Sequence, residues 1–516
     1  MKVLAYRRHT RVKTAFAVLS LILLLPGAAA GQETLEIPDM LRRVLSANRD
    51  LEKALLEEQQ AESGYRSARA SIGPQVDLDI NALTVDNRRV QTGGPGSPTQ
   101  RTIRTTATGA NLRYVQALPT GGRLVGEAGL EASAARTLAE NGTEDEDRYE
   151  IGPQVSLRFS QPVFVRGSFI DARITQAVDT QAQTGVRMAG LTREDLENRF
   201  ALAATELYFA VANLRRSIAV QESRLELARR RIARTGDDLE VGAASRQQLL
   251  RLQLAENGLR ETLLQTREQL RNLERSLFRI SGGTVQPADY SFRLPGEVFS
   301  EIDLDTPDTG TVSDNIDIAR SRIALESALA DLRVNRNERA PELSAFAQIS
   351  RRYPDDRGAN ASDPASAFSD LFDGDGGFNW TAGLSLSVPL FDGGRRRTAD
   401  AADQRTIRLA ELELSEVEEN VRDDVASALE RLSILQDRVA ILEAEADFEA
   451  DRLADLEALV EIAAASGIEA DEVRIDLAQA RNAVIGTQGE IVLLLMELDA
   501  LTGRSASGRF SVSGSL

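Results

Sequence analysis

The stretch that decides the fold is residues 388–397, Val-Pro-Leu-Phe-Asp-Gly-Gly-Arg-Arg-Arg. Before it, residues 379–388 alternate between apolar and small polar side chains, which predicts a β-strand with one apolar face. After it, residues 398–463 contain neither proline nor glycine, and this predicts one very long helix. Because proline ends a strand ladder and glycine permits a sharp turn, we predict a strand-to-helix joint. Its residues are Pro389, Gly393 and Gly394.

A similar joint occurs earlier, at residues 161–167, which read Gln-Pro-Val-Phe-Val-Arg-Gly. There we expect Pro162 to end a strand and Gly167 to start a helix that runs to about Arg234. At about 1.5 Å per residue, such a helix is roughly 100 Å long. A single globular core does not need a rod of this length.

Other helices and strands follow from the spacing of apolar residues and from turn signals. We predict helices over 36–72, 246–280, 313–340, 395–463 and from about 468 to 501. Six strands are expected around 75–82, 109–118, 123–135, 149–159, 342–349 and 379–388. Residues 86–103, 139–148 and 353–378 are expected to be loops.

The order of these elements predicts an internal duplication. Asn48 matches Asn315 and Pro74 matches Pro341 with the same offset, and the helix endings at 280–282 and 501–503 also match. The sequence therefore divides as follows: signal peptide 1–30, first repeat 31–283, linker or equatorial segment 284–312, second repeat 313–503 and flexible C-terminal tail 504–516.

Residues 1–30 have a basic start, a short apolar run and an Ala-Ala-Ala cleavage site, which predicts a secretory signal peptide. A membrane anchor is the alternative, but the apolar run is too short to span a bilayer. We therefore expect an exported protein.

Composition excludes several function classes. The only histidine, His9, lies in the predicted signal peptide, and the chain has no cysteine. Ser-His and Cys-His catalysis and thiolate or imidazole metal sites are therefore not expected, and we predict neither an enzyme nor a cofactor. A net charge of −18 argues against a nucleic-acid partner.

Each half offers one helix of nearly 70 residues and two shorter ones, so two short helices can stack end to end beside a long one. Heptad spacing in the second long helix, from Leu432 to Ala463, predicts antiparallel coiled-coil packing. Six strands are too few to enclose an open pore. We therefore expect several chains to share one membrane β-barrel and one helical barrel.

This plan resembles the TolC family of outer-membrane channel proteins of efflux and secretion systems. The residues that carry the resemblance are the segments 161–164, 241–245 and 389–395 and the Leu-Thr-Gly at 501–503. The resemblance implies a homotrimer in the outer membrane that extends into the periplasm. It also implies partners: outer-membrane lipid, a periplasmic adaptor, and an inner-membrane transporter of the RND, ABC or MFS class.

The resemblance also implies site residues at the periplasmic end of the helices. The adaptor would bind the first reversal, at Val241, Gly242, Ala243, Ala244 and Ser245. It would also bind the second reversal, at Ala464, Ala465, Ser466 and Gly467. Asp471 would narrow the pore as an aspartate gate, and Arg474 stands where the family has a second aspartate.

Alternative readings remain open. Asp471 could be an ordinary solvated acid, and Trp380 and Tyr149 could pack in a core rather than lie at a membrane interface. The sequence also departs from the family in its second reversal, which has Ala-Ala instead of Val-Gly, and in its extra strands. For the whole protein, the alternative functions are a coiled-coil envelope scaffold without a pore and, last, a carboxylate hydrolase.

Overall fold

A computed structural model gives the structure of this chain. It describes residues 33–92, 99–139, 144–165, 168–169, 173–302, 304–307, 309–338, 341–352, 378–388, 390–462 and 464–510. The predicted signal peptide, Gly167 and Pro389 lie outside the described residues.

The described elements are, in chain order, β1 (Glu33–Leu35), α1 (Ile37–Ala47), α2 (Arg49–Ala70), β2 (Gln75–Thr92), β3 (Thr99–Ala117), β4 (Arg123–Ala139), β5 (Glu144–Val165), β6 (Ser168–Phe169), α3 (Arg173–Glu240), α4 (Arg246–Ile280), β7 (Tyr290–Phe292), α5 (Pro295–Phe299), α6 (Ile316–Glu338), β8 (Glu342–Arg352), β9 (Asn379–Ser387), α7 (Arg395–Glu461) and α8 (Gly467–Leu501). The fold is mostly helical with one large sheet. No helix among these residues is long and apolar enough to cross a membrane.

Six long strands form an antiparallel sheet in the order β2-β3-β4-β5-β8-β9, and the short β6 pairs with β5. β2, β3, β4 and β5 pair in chain order, whereas β5 and β8 pair although more than 170 residues separate them in the chain. A separate parallel pair, β1 and β7, lies among the helices.

The long helices α3 and α7 have 68 and 67 residues. Along α3 pack α2 and α4, and along α7 pack α6 and α8. The two short helices beside each long helix meet end to end, and an asparagine side chain joins them. Asn48 caps α2 and donates Nδ2 to the Ile280 carbonyl at the end of α4, at 3.2 Å. Asn315 repeats this at the start of α6, donating to the Leu501 carbonyl at 3.0 Å.

Where the short helices meet, glycine is required. A Cβ on Gly282 would lie 2.2 Å from the Ala47 carbonyl oxygen, and one on Gly503 would lie 2.3 Å from that of Asp314. Both glycines also have positive φ. The same contact set therefore occurs twice, once in each half of the chain.

The largest core lies at the middle of α3, and we call it the equatorial belt. It joins α1, α3, the end of α8 and residues 284–302. Tyr208 is fully buried in it, donates its hydroxyl to the Leu35 carbonyl at 2.6 Å and accepts from the Arg293 amide at 2.7 Å. The belt therefore ties β1 and β7 to the long helix.

The C-terminal segment corrects one expectation. Residues 504–510 are not a free tail, because Ala506 and Phe510 are buried in the belt. Arg509 and Asp499 form a buried ion pair beside them. Residues 511–516 lie outside the described part of the chain.

Other boundaries also differ from the sequence-based prediction. The helix expected over 36–72 is two helices separated at Asn48, whose side chain caps the second one. The loops expected at 86–103 and 139–148 are largely strand, because β2, β3, β4 and β5 continue to Thr92, Thr99, Ala139 and Glu144. In these segments, pairing with a neighbouring strand outweighs a polar, Gly- and Thr-rich composition.

The expected joint at Pro162 is also wrong. β5 continues to Val165, and Pro162 lies at a register shift between β5 and β8. Proline has no amide hydrogen to donate, so it is tolerated where the ladder is already interrupted. The long helix then begins only at Arg173.

Candidate functional site

The sheet has one apolar face that runs across all six long strands. Strand register places the following residues on this face: Val76, Leu78 and Ile80 of β2, Leu112 and Tyr114 of β3, Ala128 and Leu130 of β4, Val155 and Leu157 of β5, Ala347 and Ile349 of β8, and Trp380, Leu384 and Leu386 of β9. Many are exposed, Trp380 by 75% and Leu384 by 69%. An apolar face of this extent needs an apolar surrounding.

A β-bulge keeps the apolar face continuous along β2. The register between β2 and β3 shifts between Asn81 and Thr84. Beyond the bulge the alternation changes parity, so Leu83 and Val85 fall on the same face as Ile80. Both side chains are more than half exposed. The sequence pattern alone breaks at this point, which is why the predicted strand ended at residue 82.

The opposite face of the sheet is polar and carries side-chain pairs between neighbouring strands. Arg113 of β3 lies 3.6 Å from Glu127 of β4. Arg158 of β5 donates to Gln348 of β8 at 3.2 Å. Such pairs are typical of a surface that faces water. One face of the sheet therefore suits an apolar environment and the other an aqueous one.

Both outer strands of the sheet are open in the single chain. In the described residues, β2 pairs only with β3, and β9 pairs only with β8. Their outward-facing amide and carbonyl groups have the geometry to pair with a further strand.

The joint between β9 and α7 is built around Asp392. Gly393 and Gly394 have φ of 64° and 86°, which turns the chain into the helix. The Asp392 carboxylate accepts from the amides of Gly394 and Arg396, at 3.1 and 3.0 Å, and from the Arg396 side chain. These bonds, chiefly that from the Arg396 amide, lower the pKa of Asp392. Gly393 and Gly394 therefore form the turn that leads into α7.

At the other end of the rods, two turns form what we call the tip, which consists of residues 241–245 in the first turn and residues 462 and 464–466 in the second. Gly242 has φ of 79°, and Ser245 caps α4 through a capping box with Gln248. Ser466 caps α8 in the same way with Glu469. Gly467 is already the first residue of α8, so it lies just beyond the turn in which it was expected.

The exposure of the tip residues is uneven. Val241 is 79% exposed, and Gly242, Ala243 and Ser245 are exposed beside it. In the second turn, Ala464 is exposed and Ala465 is partly buried, and their amides bond to the Leu459 carbonyl. Val241 and Ile462, each the residue that directly follows a long helix, therefore both offer an exposed apolar side chain at the tip.

Ion pairs join three helices just above the tip, and we call them the tip latch. Asp471 of α8 accepts from Arg230 of α3 and from Arg474, both at 2.7 Å. Arg474 also donates to Glu457 of α7 at 2.6 Å, which raises the pKa of Arg474. A second pair, Arg231 with Glu472, lies next to it.

The structure thus brings the two predicted gate residues, Asp471 and Arg474, into direct contact with each other. Sequence reasoning missed their partners Arg230 and Glu457. The basic run at 229–231 was visible in the sequence, but Arg230 and Asp471 are 241 positions apart, so no local signal paired them.

Comparison with known proteins gives a consistent result. Residues 311–504 match the family model of the outer membrane efflux protein. No curated protein sequence matches the chain significantly.

Solved structures with the same fold include outer-membrane proteins. The outer membrane protein VceC from Vibrio cholerae is 14% identical with a TM-score of 0.60, over 91% of this chain and 96% of that one. CusC is 15% identical with a TM-score of 0.57, over 97% and 99%. The Campylobacter jejuni CmeC outer membrane channel is 14% identical with a TM-score of 0.59, over 91% and 86%. The resemblance to TolC-family channels is confirmed.

Proposed function

We propose that this chain, which carries an outer membrane efflux protein domain and the fold of TolC-family channels, is a passive exit duct in the outer membrane. It would serve a tripartite efflux pump or a type I secretion system and carry out no chemistry of its own. A periplasmic adaptor would open its tip, and an inner-membrane transporter would supply the energy.

The observation that carries this proposal is the pairing of two structures in one chain. A sheet with one apolar and one polar face continues into rods that are about 100 Å long. The apolar face matches outer-membrane lipid, and the polar face matches a water-filled lumen. The rods provide a path away from the membrane, into the periplasm.

The open edges support self-association. In the lower half of the rods the contacts follow the order α4-α3-α8-α7, so α4 and α7 are the outer helices. The outer side of α7 carries Ile434, Ile441 and Phe448 at heptad spacing, all about 60–70% exposed. α4 carries a second exposed apolar row, Leu250, Leu254 and Leu264. A ring of copies would bury one row against the other and pair β2 with β9, and the resemblance supports a homotrimer.

The tip latch supports a closed resting state. It holds α8 against α3 and α7, at the end of the rods where the adaptor would bind. An adaptor can open the tip only if it binds the splayed state more tightly than the closed state. We propose that the adaptor contacts both turns of the tip, the first at Val241, Gly242, Ala243, Ala244 and Ser245 and the second at Ala464, Ala465, Ser466 and Gly467.

Planar-bilayer conductance tests the latch. Arg230→Gln and Asp471→Ala should each raise the single-channel conductance, because one of the ion pairs that join α3 to α8 is lost. The reversed pair, Arg230→Asp with Asp471→Arg, should return the conductance toward the starting value. Arg267→Gln is the matched control, since Arg267 pairs with Glu222 between α3 and α4. Unchanged conductance in both latch variants would show that Arg230 and Asp471 do not keep the channel closed.

The contrasting function is a coiled-coil envelope scaffold without a pore. It accounts for the rods but leaves the apolar sheet face without a role. A scaffold should leave outer membranes in carbonate or high salt, whereas the proposed channel should require detergent. We also propose that the doubled asparagine joints record an internal duplication.

A further inference from the structure

We propose that the membrane wall of this channel takes six strands from each copy, so that three copies close a ring of eighteen strands. This inference rests on the proposed function and adds the number of strands that form its membrane barrel. It also implies that cargo size is limited at the tip and not in the membrane.

The extra hairpin, β3 and β4, is built into the wall and does not hang beside it. The sheet order β2-β3-β4-β5 has no break, and the β3–β4 register runs without a shift from Arg101–Ala139 to Ala117–Arg123. Its apolar residues Leu112 and Leu130 lie on the same face as Leu78 of β2 and Val155 of β5.

The turn of this hairpin is also fixed to its surroundings, at the end of the sheet nearest the helices. Thr120 in the turn donates its hydroxyl to the Gln161 side chain at 2.7 Å, and Gln161 donates back to the Thr120 carbonyl at 2.8 Å. Gln116 at the end of β3 donates to the Ile72 carbonyl, just after α2, at 3.3 Å. A hairpin outside the wall would not be bound on both sides in this way.

The widths of the sheet and of the rods agree with six strands per copy. Strands spaced about 4.8 Å apart and tilted about 40° occupy roughly 6 Å of circumference each, so six occupy about 38 Å. Four helices side by side, about 9–10 Å apart, occupy roughly 36–40 Å. Six strands therefore let the two rings join at nearly equal width.

Cross-linking can identify which strands meet between copies, because the chain has no cysteine. One set of double variants places Leu78→Cys in β2 with Leu384→Cys or Leu386→Cys in β9. The matched set replaces Leu78→Cys by Ala128→Cys in β4, which is separated from β9 by β5 and β8 within one chain. All variants are exported to outer membranes and treated with a short bismaleimide before denaturing electrophoresis.

The β2–β9 set should give dimer and trimer bands, and the β4–β9 set should give monomer. Electron cryo-microscopy of the unmodified protein in detergent should then show eighteen strands. Trimer bands from the β4–β9 set, or a ring of twelve strands, would overturn the six-strand wall while leaving a trimeric channel. A monomer in both sets and in native mass spectrometry would instead overturn the proposed function itself.

Discussion

At the scale of single residues, buried polar groups in the equatorial belt depend on one another. The Tyr208 hydroxyl uses both its hydrogen and its oxygen, on the Leu35 carbonyl and the Arg293 amide. Burial raises the pKa of this hydroxyl, so it stays protonated and continues to donate. Arg293 in turn contacts Glu36, Glu297 and Glu301. One phenol therefore joins the start of the described chain to residues almost 260 positions later.

Tyr208→Phe should destabilise the protein by about 1–3 kcal/mol, because it leaves a buried amide and a buried carbonyl without partners. The midpoint of urea unfolding, followed by circular dichroism, measures this. Tyr65→Phe is the matched control, because it removes a hydroxyl that accepts an exposed hydrogen bond from Gln183. Equal midpoints for Tyr208→Phe and wild type would show that water replaces the hydroxyl.

The cap at Asp392 predicts a local pH dependence. Its pKa is lowered in the folded state, so the carboxylate contributes stability above its ordinary pKa. That contribution is lost as the pH falls through the lowered value. We expect the protection of amides in the first turn of α7 against hydrogen exchange to weaken progressively as the pH falls below about 3.9, the ordinary aspartate value. Asp392→Asn should show the faster exchange at neutral pH as well, and no difference between the two proteins would contradict the cap.

At the scale of elements, much of the architecture could be predicted from the sequence. The predicted limits of α4, 246 and 280, are the observed ones, because glycine and serine mark both ends. Regular alternation likewise located β9 and the start of β2. The sequence failed where an element depends on a neighbour. The upper parts of β2 and β3 are strands because they pair with each other, and Asn48 separates two helices because it can reach the end of α4.

The end-to-end joints predict opposite effects on stability for alanine substitutions at two glycines. Gly258 lies within α4, and Gly282 lies just after the end of α4. Gly282→Ala should cost about 1–3 kcal/mol, because φ is positive and the new Cβ meets the Ala47 carbonyl. Gly258→Ala, in open space within the helix, should stabilise by about 0.5–1 kcal/mol. Thermal unfolding of both variants in one detergent measures the contrast. If both shifted in the same direction, the close contact at the joint would be refuted.

At the scale of the whole molecule, a single chain leaves extended apolar surfaces exposed, which indicates that they are covered by lipid or by another protein chain. The sequence predicted the heptad stripe that is buried within the chain, including Leu432, Leu435 and Val439. It did not separate this stripe from the outer one, because both follow the same helical period. Only the packing of α8 on one side of α7 shows which stripe is left for another copy. The tip latch escaped prediction for a related reason, since its partners come from three separate helices.

Ile441→Glu should weaken assembly, because it places a charge in the outer stripe of α7. Burying an isoleucine contributes about 1.5–3 kcal/mol, and this gain is lost at every interface of a ring. Native mass spectrometry should shift from oligomer to monomer at equal concentration. Ile441→Leu keeps an apolar side chain and should leave the oligomer intact. An intact oligomer with Ile441→Glu would place the interface elsewhere.

The end-to-end joints of the short helices have a mechanical consequence. In each chain, the long helices α3 and α7 run through the belt without a break. The other two helical columns, α4 with α2 and α8 with α6, are interrupted there, at Asn48 and Asn315. A wall made this way bends most easily at the height where its columns are segmented. In the proposed channel, movement of the lower helix segments would then be absorbed at the belt, and the sheet would keep its shape while the tip opens.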